Sequence, residues 1–211
     1  MRPFELIIGT GNRAKGLELA ELLEPRGFQV QTLLDLTAVY DCKPLEIVED
    51  GESFAANSQK KAIEQARHLG HWVLADDSGI EVDALQGAPG IYSARYAGLN
   101  STDLENNTKL LTELGDLPET SRTARYVCHV AVADPNGQIR AESEAICCGT
   151  IGSEPVGTNG FGYDPLFVIR EYHRTFGELG PAVKRAISHR ARALRAIVPK
   201  LVALAASGEW E

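Results

Sequence analysis

Two adjacent carboxylates, Asp76 and Asp77, follow the apolar run Trp72-Val73-Leu74-Ala75. The run reads as a buried strand, and a charge at the end of such a strand is costly unless something pairs with it. A divalent cation is a usual partner for clustered carboxylates in a polar pocket. Successive strand side chains point to opposite faces, so the two aspartates are expected to do different jobs. One faces a site, and the other braces a loop or a backbone. Ser78-Gly79 then supplies a hydroxyl and a flexible turn. The same four residues also suit a plain polar turn between two strands.

Three further stretches have the chemistry of a nucleotide site. In Thr10-Gly11-Asn12-Arg13-Ala14-Lys15 a loop leaves a short apolar strand and opens a helix. A helix N-terminus offers unpaired N–H groups and partial positive charge to an anion, and Lys15 adds a full charge. The stretch is neither a Walker A loop nor Gly-x-Gly-x-x-Gly, and it also fits an ordinary strand-to-helix turn. In Gly160-Phe161-Gly162-Tyr163-Asp164-Pro165 two glycines allow close backbone approach, and an exposed ring could stack on a base. Both rings could equally anchor the loop in the core. In Lys184-Arg185-Ala186-Ile187-Ser188-His189-Arg190, Ser188 reads as an N-cap. It places His189 and Arg190 on a first helical turn, where they could donate to a base carbonyl, and Lys184 could reach a phosphate. A solvated basic helix face is the plainer alternative.

The elements that must position these residues alternate between strand and helix. Phe4 to Gly9 is a strand, and Asn12 caps a helix from Arg13 to Arg26 that Gly27 stops. Phe28 to Leu34 is a second strand, so the chain opens as an α/β unit. Asp35 to Gly51 is aperiodic, carries Asp41, Glu46, Glu49 and Asp50, and is expected to be a functional loop. Ser53 caps a helix ending at Leu69-Gly70, and Ile80 to Leu85 is extended. Thr102-Asp103-Leu104-Glu105 is a capping box for a helix reaching Leu114. Arg125 to Asp134 and Gln138 to Gly149 form a hairpin around Asn136-Gly137. Leu166 to Ile169 is a short strand, and the chain is helical from Pro181 to Gly208, with Pro199 expected to kink or break the last helix.

At 211 residues the chain suits one domain, residues 1–211, able to bury a core without staples. No apolar run approaches a membrane span, and the N-terminus has no signal-peptide pattern. Cys42, Cys128, Cys147 and Cys148 form no Cys-x-x-Cys pair, which reads as reduced, cytoplasmic usage. A formal net charge of -8 argues against broad binding to nucleic acid, while leaving room for a local basic pocket.

Together these blocks resemble the ITP/XTP pyrophosphatases, a family of non-canonical purine nucleoside triphosphate pyrophosphatases. The matching stretches are Thr10-Gly11-Asn12 with Lys15, Ala75-Asp76-Asp77-Ser78-Gly79, and Gly87 to Tyr96. Gly160 to Pro165 and Ile187-Ser188-His189-Arg190 complete the set, and all stand in family order along the chain. The resemblance implies an α/β fold: a long mixed central sheet with flanking helices, two lobes around a nucleotide-binding cleft, and a homodimer. It implies Mg²⁺-dependent hydrolysis of ITP, dITP and XTP to the monophosphate and pyrophosphate, which clears deaminated purines from the nucleotide pool. Carried over by position, Thr10, Gly11, Asn12, Arg13, Ala14 and Lys15 hold the triphosphate. Asp77 is the proton acceptor and a metal ligand, and Ser78 lies beside the substrate. Phe161, Gly162, Tyr163 and Asp164 surround the base, and Lys184, His189 and Arg190 complete the site, the last two reading the purine 6-oxo group. Ala56 departs from the pattern, standing where the family has an acidic residue before Asn57. The second metal carboxylate is assigned to Glu49, with Glu46, Glu52 and Asp76 as alternatives.

The chemistry expected of such a site follows. Mg²⁺ can screen the phosphates, orient the α-phosphorus and make water more acidic. Asp77 accepts the proton. Pyrophosphate leaves once Mg²⁺ and Lys15 neutralise it. Hypoxanthine and xanthine present an acceptor at the 6-position and adenine a donor, so donors there discriminate by about 1–3 kcal/mol per unmatched buried group.

Overall fold

The computed structural model describes residues 4–33, 36 and 43–210. Seven strands form one mixed sheet in the order β2-β1-β3-β4-β5-β6-β7. The strands are β1 Phe4–Ile8, β2 Phe28–Thr32, β3 Val73–Val82, β4 Thr123–Ala133, β5 Ile139–Ile151, β6 Phe167–Ile169 and β7 Arg174–Thr175. The helices are α1 Arg13–Leu23, α2 Phe54–Leu69, α3 Asp103–Leu114, α4 Pro181–Ile187 and α5 His189–Ala206. The chain forms two compact units. One comprises Met1–Asp77, Cys128–Ala145 and Arg190–Glu211, the other Ser78–Val127 and Ile146–His189. No helix among the described residues is long and apolar enough to cross a membrane.

In the first unit β1 pairs in parallel with β2 and with β3, Ile7 facing Val73 and Ile8 facing Leu74. Strand alternation sorts the side chains into two cores. Leu6, Ile8, Leu74, Cys128, Val130 and Val132 pack with Leu19 and Leu23 of α1 and Leu194 and Ile197 of α5. Ile7, Val73, Ala75, Ala131 and Ala133 pack with Ala62 and Ala66 of α2. The helices begin where the sequence predicts, and the first and last end short of the expected Arg26 and Gly208, at Leu23 and Ala206. Asn12 accepts from the Lys15 N–H, Ser53 accepts from the Ala56 N–H, and Gly70 closes α2 with a left-handed φ of 66°. The final turn before Gly27 is a tighter 3₁₀ turn, Glu24–Arg26, with Pro at its start. The C-terminus closes the first of these cores: Trp210 stacks on Trp72 at 4.2 Å and 3°, and accepts the Trp72 Nε1–H at its carbonyl, 3.2 Å away.

The second unit has one core, built from Ile80, Val82, Leu110, Tyr126, Ile151, Tyr163, Phe167 and Phe176 among others. Strands β5, β6 and β7 run antiparallel there. The capping box of α3 is complete, with Thr102 and Glu105 each bonded to the other's backbone.

Two expectations about the chain's path change. Ser78-Gly79 is not a turn: β3 runs unbroken from Val73 to Val82. Val73, Leu74, Ala75, Ile80 and Val82 before and after the polar stretch are buried, and that packing overrides the local turn preference of Ser and Gly. Pro199 does not break the last helix, which is continuous from His189 to Ala206. Packing of Leu194, Ile197 and Leu201 in the core on both sides of the proline holds the helix together. Within the expected loop, residues 43–51 have no regular structure, whereas Asp35, Asp41 and Leu34 lie outside the described residues.

Candidate active site

Asp76 continues the Leu74 face of β3, and Asp77 continues the Val73 and Ala75 face. The aspartates therefore meet different helices. Asp76 is fully buried on the side of α1 and α5. Its Oδ2 accepts from Arg190 Nε at 3.3 Å and pairs with Lys15 Nζ at 3.6 Å. Burial acts to raise its pKa, but the charges of Lys15, Arg190 and Lys61 outweigh it and hold the group below the usual carboxylate range. Asp77 faces α2. Its Oδ2 accepts from Asn57 Nδ2 at 3.1 Å, and its Oδ1 lies 3.5 Å from Lys61 Nζ. For Asp77, burial prevails over Lys61 and Lys15, with Glu49 adding to it, and the pKa is raised. Neighbouring carboxylates pushed in opposite directions are the pattern of one permanent anion and one proton acceptor.

Lys61 links Asp77 to Glu49, whose Oε1 it meets at 2.7 Å. Burial disfavours the Lys61 charge, yet Asp77, Asp76 and Glu49 together raise its pKa. Glu49 is thus the carboxylate of its loop brought to the same cation as Asp77, while Glu46 and Glu52 are exposed. Among the described residues no three His, Cys, Asp or Glu side chains converge as a cation site. Mg²⁺ needs no such cage, because it is held by one or two carboxylates with phosphate oxygens and waters completing the octahedron. Glu49 and Asp77 fit that donor set.

The phosphate loop is shaped by its own side chains. Thr10 Oγ1 accepts from the Asn12 N–H at 3.2 Å, and Asn12 Oδ1 accepts from the Lys15 N–H at 3.1 Å. Gly11, Asn12 and Arg13 are exposed at the start of α1, where the first-turn N–H groups lack helical partners. Gly9 is a close approach: a Cβ there would stand 2.8 Å from Val73.

The second unit holds a different cluster. Lys184 Nζ donates to Asp164 Oδ2 at 2.6 Å and lies 4.4 Å from the centre of the Phe161 ring. Asp164 is buried, and it also accepts the Phe161 N–H at 2.8 Å and the Tyr126 hydroxyl at 3.3 Å. Gly160 has a φ of 78°, and a Cβ there would fall 2.0 Å from Asp164 Oδ2, so only glycine fits. The Gly162 N–H donates to Asp103 at 2.7 Å, and Asn107 donates to the Gly162 carbonyl at 3.0 Å. Tyr163 is buried and donates its hydroxyl to the Ser93 carbonyl at 2.8 Å, so it anchors the loop. Phe161 is the loop's half-buried ring.

His189 and Arg190, expected side by side on the base, take separate places. His189 stacks on Tyr126 at 4.6 Å and 7° in the second unit. Arg190 is buried in the first, between Asp76 and Glu18. Burial works against its charge, but Asp76 and Glu18 more than compensate and raise its pKa. Successive residues at a helix start point about 100° apart, which suffices to separate them. Ser188 joins α4 to α5 in an extended conformation, buried. Ser78 follows Asp77 on β3, half-buried. Sequence reading had no role for Glu18 or Gln65. The signal for Gln65 was present: Asn57, Lys61 and Gln65 stand at i, i+4 and i+8 on α2, a polar stripe that is buried.

Residues 6–200 match the model of the Ham1 family, and the chain belongs to that family. It is 52% identical over 206 residues to the dITP/XTP pyrophosphatase of Rhodopirellula baltica, covering 98% of this chain and 97% of the relative. It is 49% identical over 191 residues to the dITP/XTP pyrophosphatase of Desulforamulus reducens, covering 90% and 92%. Among solved structures it is similar to a HAM1 protein from Coxiella burnetii, with a TM-score of 0.83, 35% identity, and 94% and 98% of the two chains covered. A dITP/XTP pyrophosphatase from Mycobacterium abscessus matches with a TM-score of 0.71 and 40% identity over 91% and 96%.

Proposed function

We propose that this chain hydrolyses the non-canonical purine nucleoside triphosphates ITP, dITP and XTP to the monophosphate and pyrophosphate. The observation that carries the reading is the geometric split between the aspartates: Asp76 is buried between Lys15 and Arg190 on one face of β3, and Asp77 stands on the other, held by Asn57 and facing Lys61. The names of the relatives supply the substrate class. Thr10, Gly11, Asn12, Arg13 and Ala14 wrap the phosphates with backbone N–H groups, and Lys15 adds charge. Asn57 holds Asp77 Oδ2 and Lys61 lies 3.5 Å from Oδ1, and the carboxylate so oriented takes the proton of the attacking water. Bound at Glu49 and Asp77, Mg²⁺ would screen the polyanion and acidify water. Ser78 lies beside the substrate. Phe161 stacks on the base, Gly162 lets the ring approach, and Tyr163 and Asp164 hold the loop around it. Lys184 and His189 donate to the nucleotide, His189 to the 6-oxo group. Arg190, engaged by Asp76 and Glu18, serves the phosphate end. The chain acts in the cytoplasm as a homodimer without nucleic-acid or membrane partners, consistent with the free thiols of Cys128, Cys147 and Cys148.

The test is turnover of ITP, XTP, GTP and dUTP, with and without Mg²⁺, read as pyrophosphate released. Metal-dependent release from ITP and XTP is expected. A preference for dUTP overturns the base assignment, and ITP binding without any release overturns the hydrolase.

A further inference from the structure

The loop carrying Glu49 has no regular structure between residues 43 and 51, yet its backbone is fastened along one helix. His68 Nε2 meets the Lys43 carbonyl at 2.7 Å. Gln65 donates from Nε2 to the Leu45 carbonyl at 2.6 Å and accepts the Leu45 N–H at Oε1, 3.2 Å away. Lys61 takes Glu49, and Lys60 takes Asp50 at 2.6 Å. Asn57 Oδ1 accepts the Gly51 N–H at 2.8 Å, while its amide donates to Asp77. The helix is thus read backwards, from 68 to 57, as the loop runs forwards from 43 to 51.

Two of these contacts are of a special kind. The Gln65 side chain pairs with both polar groups of Leu45, as a neighbouring strand would, and is 2% exposed. Asn57 is fully buried and uses both ends of its amide, one on the loop and one on the proton acceptor. There is no space to shift at the second anchor: a Cβ on Gly51 would stand 2.7 Å from Asn57 Oδ1 and 2.9 Å from the Ala56 Cβ. A buried amide with both ends satisfied is costly to disturb, because losing one partner strands the other. Glu49 lies between the two anchors, four residues after Leu45 and two before Gly51.

We infer that Gln65 and Asn57 are positioning residues that fix the loop at both ends and thereby hold Glu49 opposite Asp77 as a metal-binding pair. This rests on the reading of Glu49 and Asp77 as the cation ligands. In this reading neither amide is itself a cation ligand: Gln65 bonds the loop backbone, and Asn57 bonds the loop backbone and Asp77. Lys61 Nζ, 2.7 Å from Glu49 and 3.5 Å from Asp77, offsets the repulsion between the carboxylates, and the amides hold the backbone that carries Glu49. Partners of this kind behind a ligand typically change metal affinity by about 10–100-fold when removed.

The experiment is Mn²⁺ binding to the substrate-free chain, with free Mn²⁺ counted by electron paramagnetic resonance, alongside the thermal midpoint. Gln65→Met, close in size but without the paired hydrogen bonds, is expected to weaken Mn²⁺ binding about tenfold. Gln65→Glu keeps the acceptor for the Leu45 N–H and is expected to recover part of that loss, which also covers the case in which Gln65→Met fails to fold. Adding Glu49→Gln to Gln65→Met is expected to cost nothing further beyond Glu49→Gln alone, since both act through one carboxylate. A lowered thermal midpoint with unchanged Mn²⁺ affinity, while Glu49→Gln does weaken it, makes Gln65 purely structural and overturns the inference. Unchanged affinity in Glu49→Gln, or no Mn²⁺ binding by the parent chain, overturns the ligand reading and the inference with it.

Discussion

The two units solve different recognition problems with different materials. In the first, the side chains of the site are mostly ionic and linked in series: Lys15, Asp76, Arg190 and Glu18 form one chain of contacts, and Asp77, Lys61 and Glu49 form another. In the second, a buried ion pair, Lys184 with Asp164, sits among rings, with Phe161 against the lysine and Tyr126 against the aspartate and His189. Cations already oriented by carboxylates suit a polyanion once a bound divalent cation offsets the carboxylates, as the proposed reading requires. Rings around a fixed cation suit a flat base, because stacking tolerates any purine and the polar atoms then choose among them. On the proposed reading this is a division of labour: charge and proton transfer would fall to one unit and selection of the ring to the other.

The sharpest test of that division is Asp77→Asn. It is expected to lower turnover on the order of 10²–10⁴-fold while leaving the circular dichroism spectrum intact. Near-normal turnover would mean that another group accepts the proton. Next in size is Asp76→Asn, which leaves Arg190 and Lys15 without the buried anion between them. A loss of about 3–5 kcal/mol is expected in urea unfolding at pH 7. The sign with pH follows from the lowered pKa of Asp76. Its contribution is complete above the unfolded value of 3.8 and is lost as pH falls through the folded value, so the gap between parent and variant narrows only below about pH 4. A gap that narrows near neutrality would contradict the assignment.

The comparison itself is broken or kept by two product inhibitors. Phe161→Ala is expected to weaken inhibition by inosine monophosphate roughly tenfold, within the usual worth of one stacked base, and to leave inhibition by pyrophosphate unchanged. Lys15→Ala is expected to do the reverse. Equal losses for both ligands in both variants would mean that the units do not divide the nucleotide. The smallest effect concerns thiols. Burial, with the Asp76 charge beside it, pushes the Cys128 thiol up to about 12, so it stays protonated and inert at neutral pH. Peptide mapping after iodoacetamide treatment of the native chain should find exposed Cys148 alkylated and Cys128 spared.

Much of this was legible in the order of residues. Period-two alternation alone placed Asp76 and Asp77 on opposite faces, and the caps at Asn12, Ser53 and Thr102 marked their helices because capping is local chemistry. The continuity of β3 was not legible, since Ser78-Gly79 carries a turn signal that only the buried strand residues before and after it override. The partners of Arg190 were not legible for a related reason: a cation next to a histidine gives no hint of the carboxylates it meets, buried Asp76 and half-buried Glu18, the latter 172 positions away. The stripe Asn57, Lys61, Gln65 could be read as polar and in phase. What it fastens depends on a loop with no pattern of its own, and long-range pairing of that kind leaves no local trace.

The stacked indoles at the C-terminus have a practical consequence. The chain has two tryptophans, Trp72 and Trp210, and both lie in the first unit. Tryptophan emission during unfolding therefore follows that unit and is blind to the other, whose aromatic residues are tyrosines and phenylalanines. An emission trace that runs ahead of the far-ultraviolet signal would reveal the first unit opening while the second still stands, and coincident traces would mark one cooperative transition.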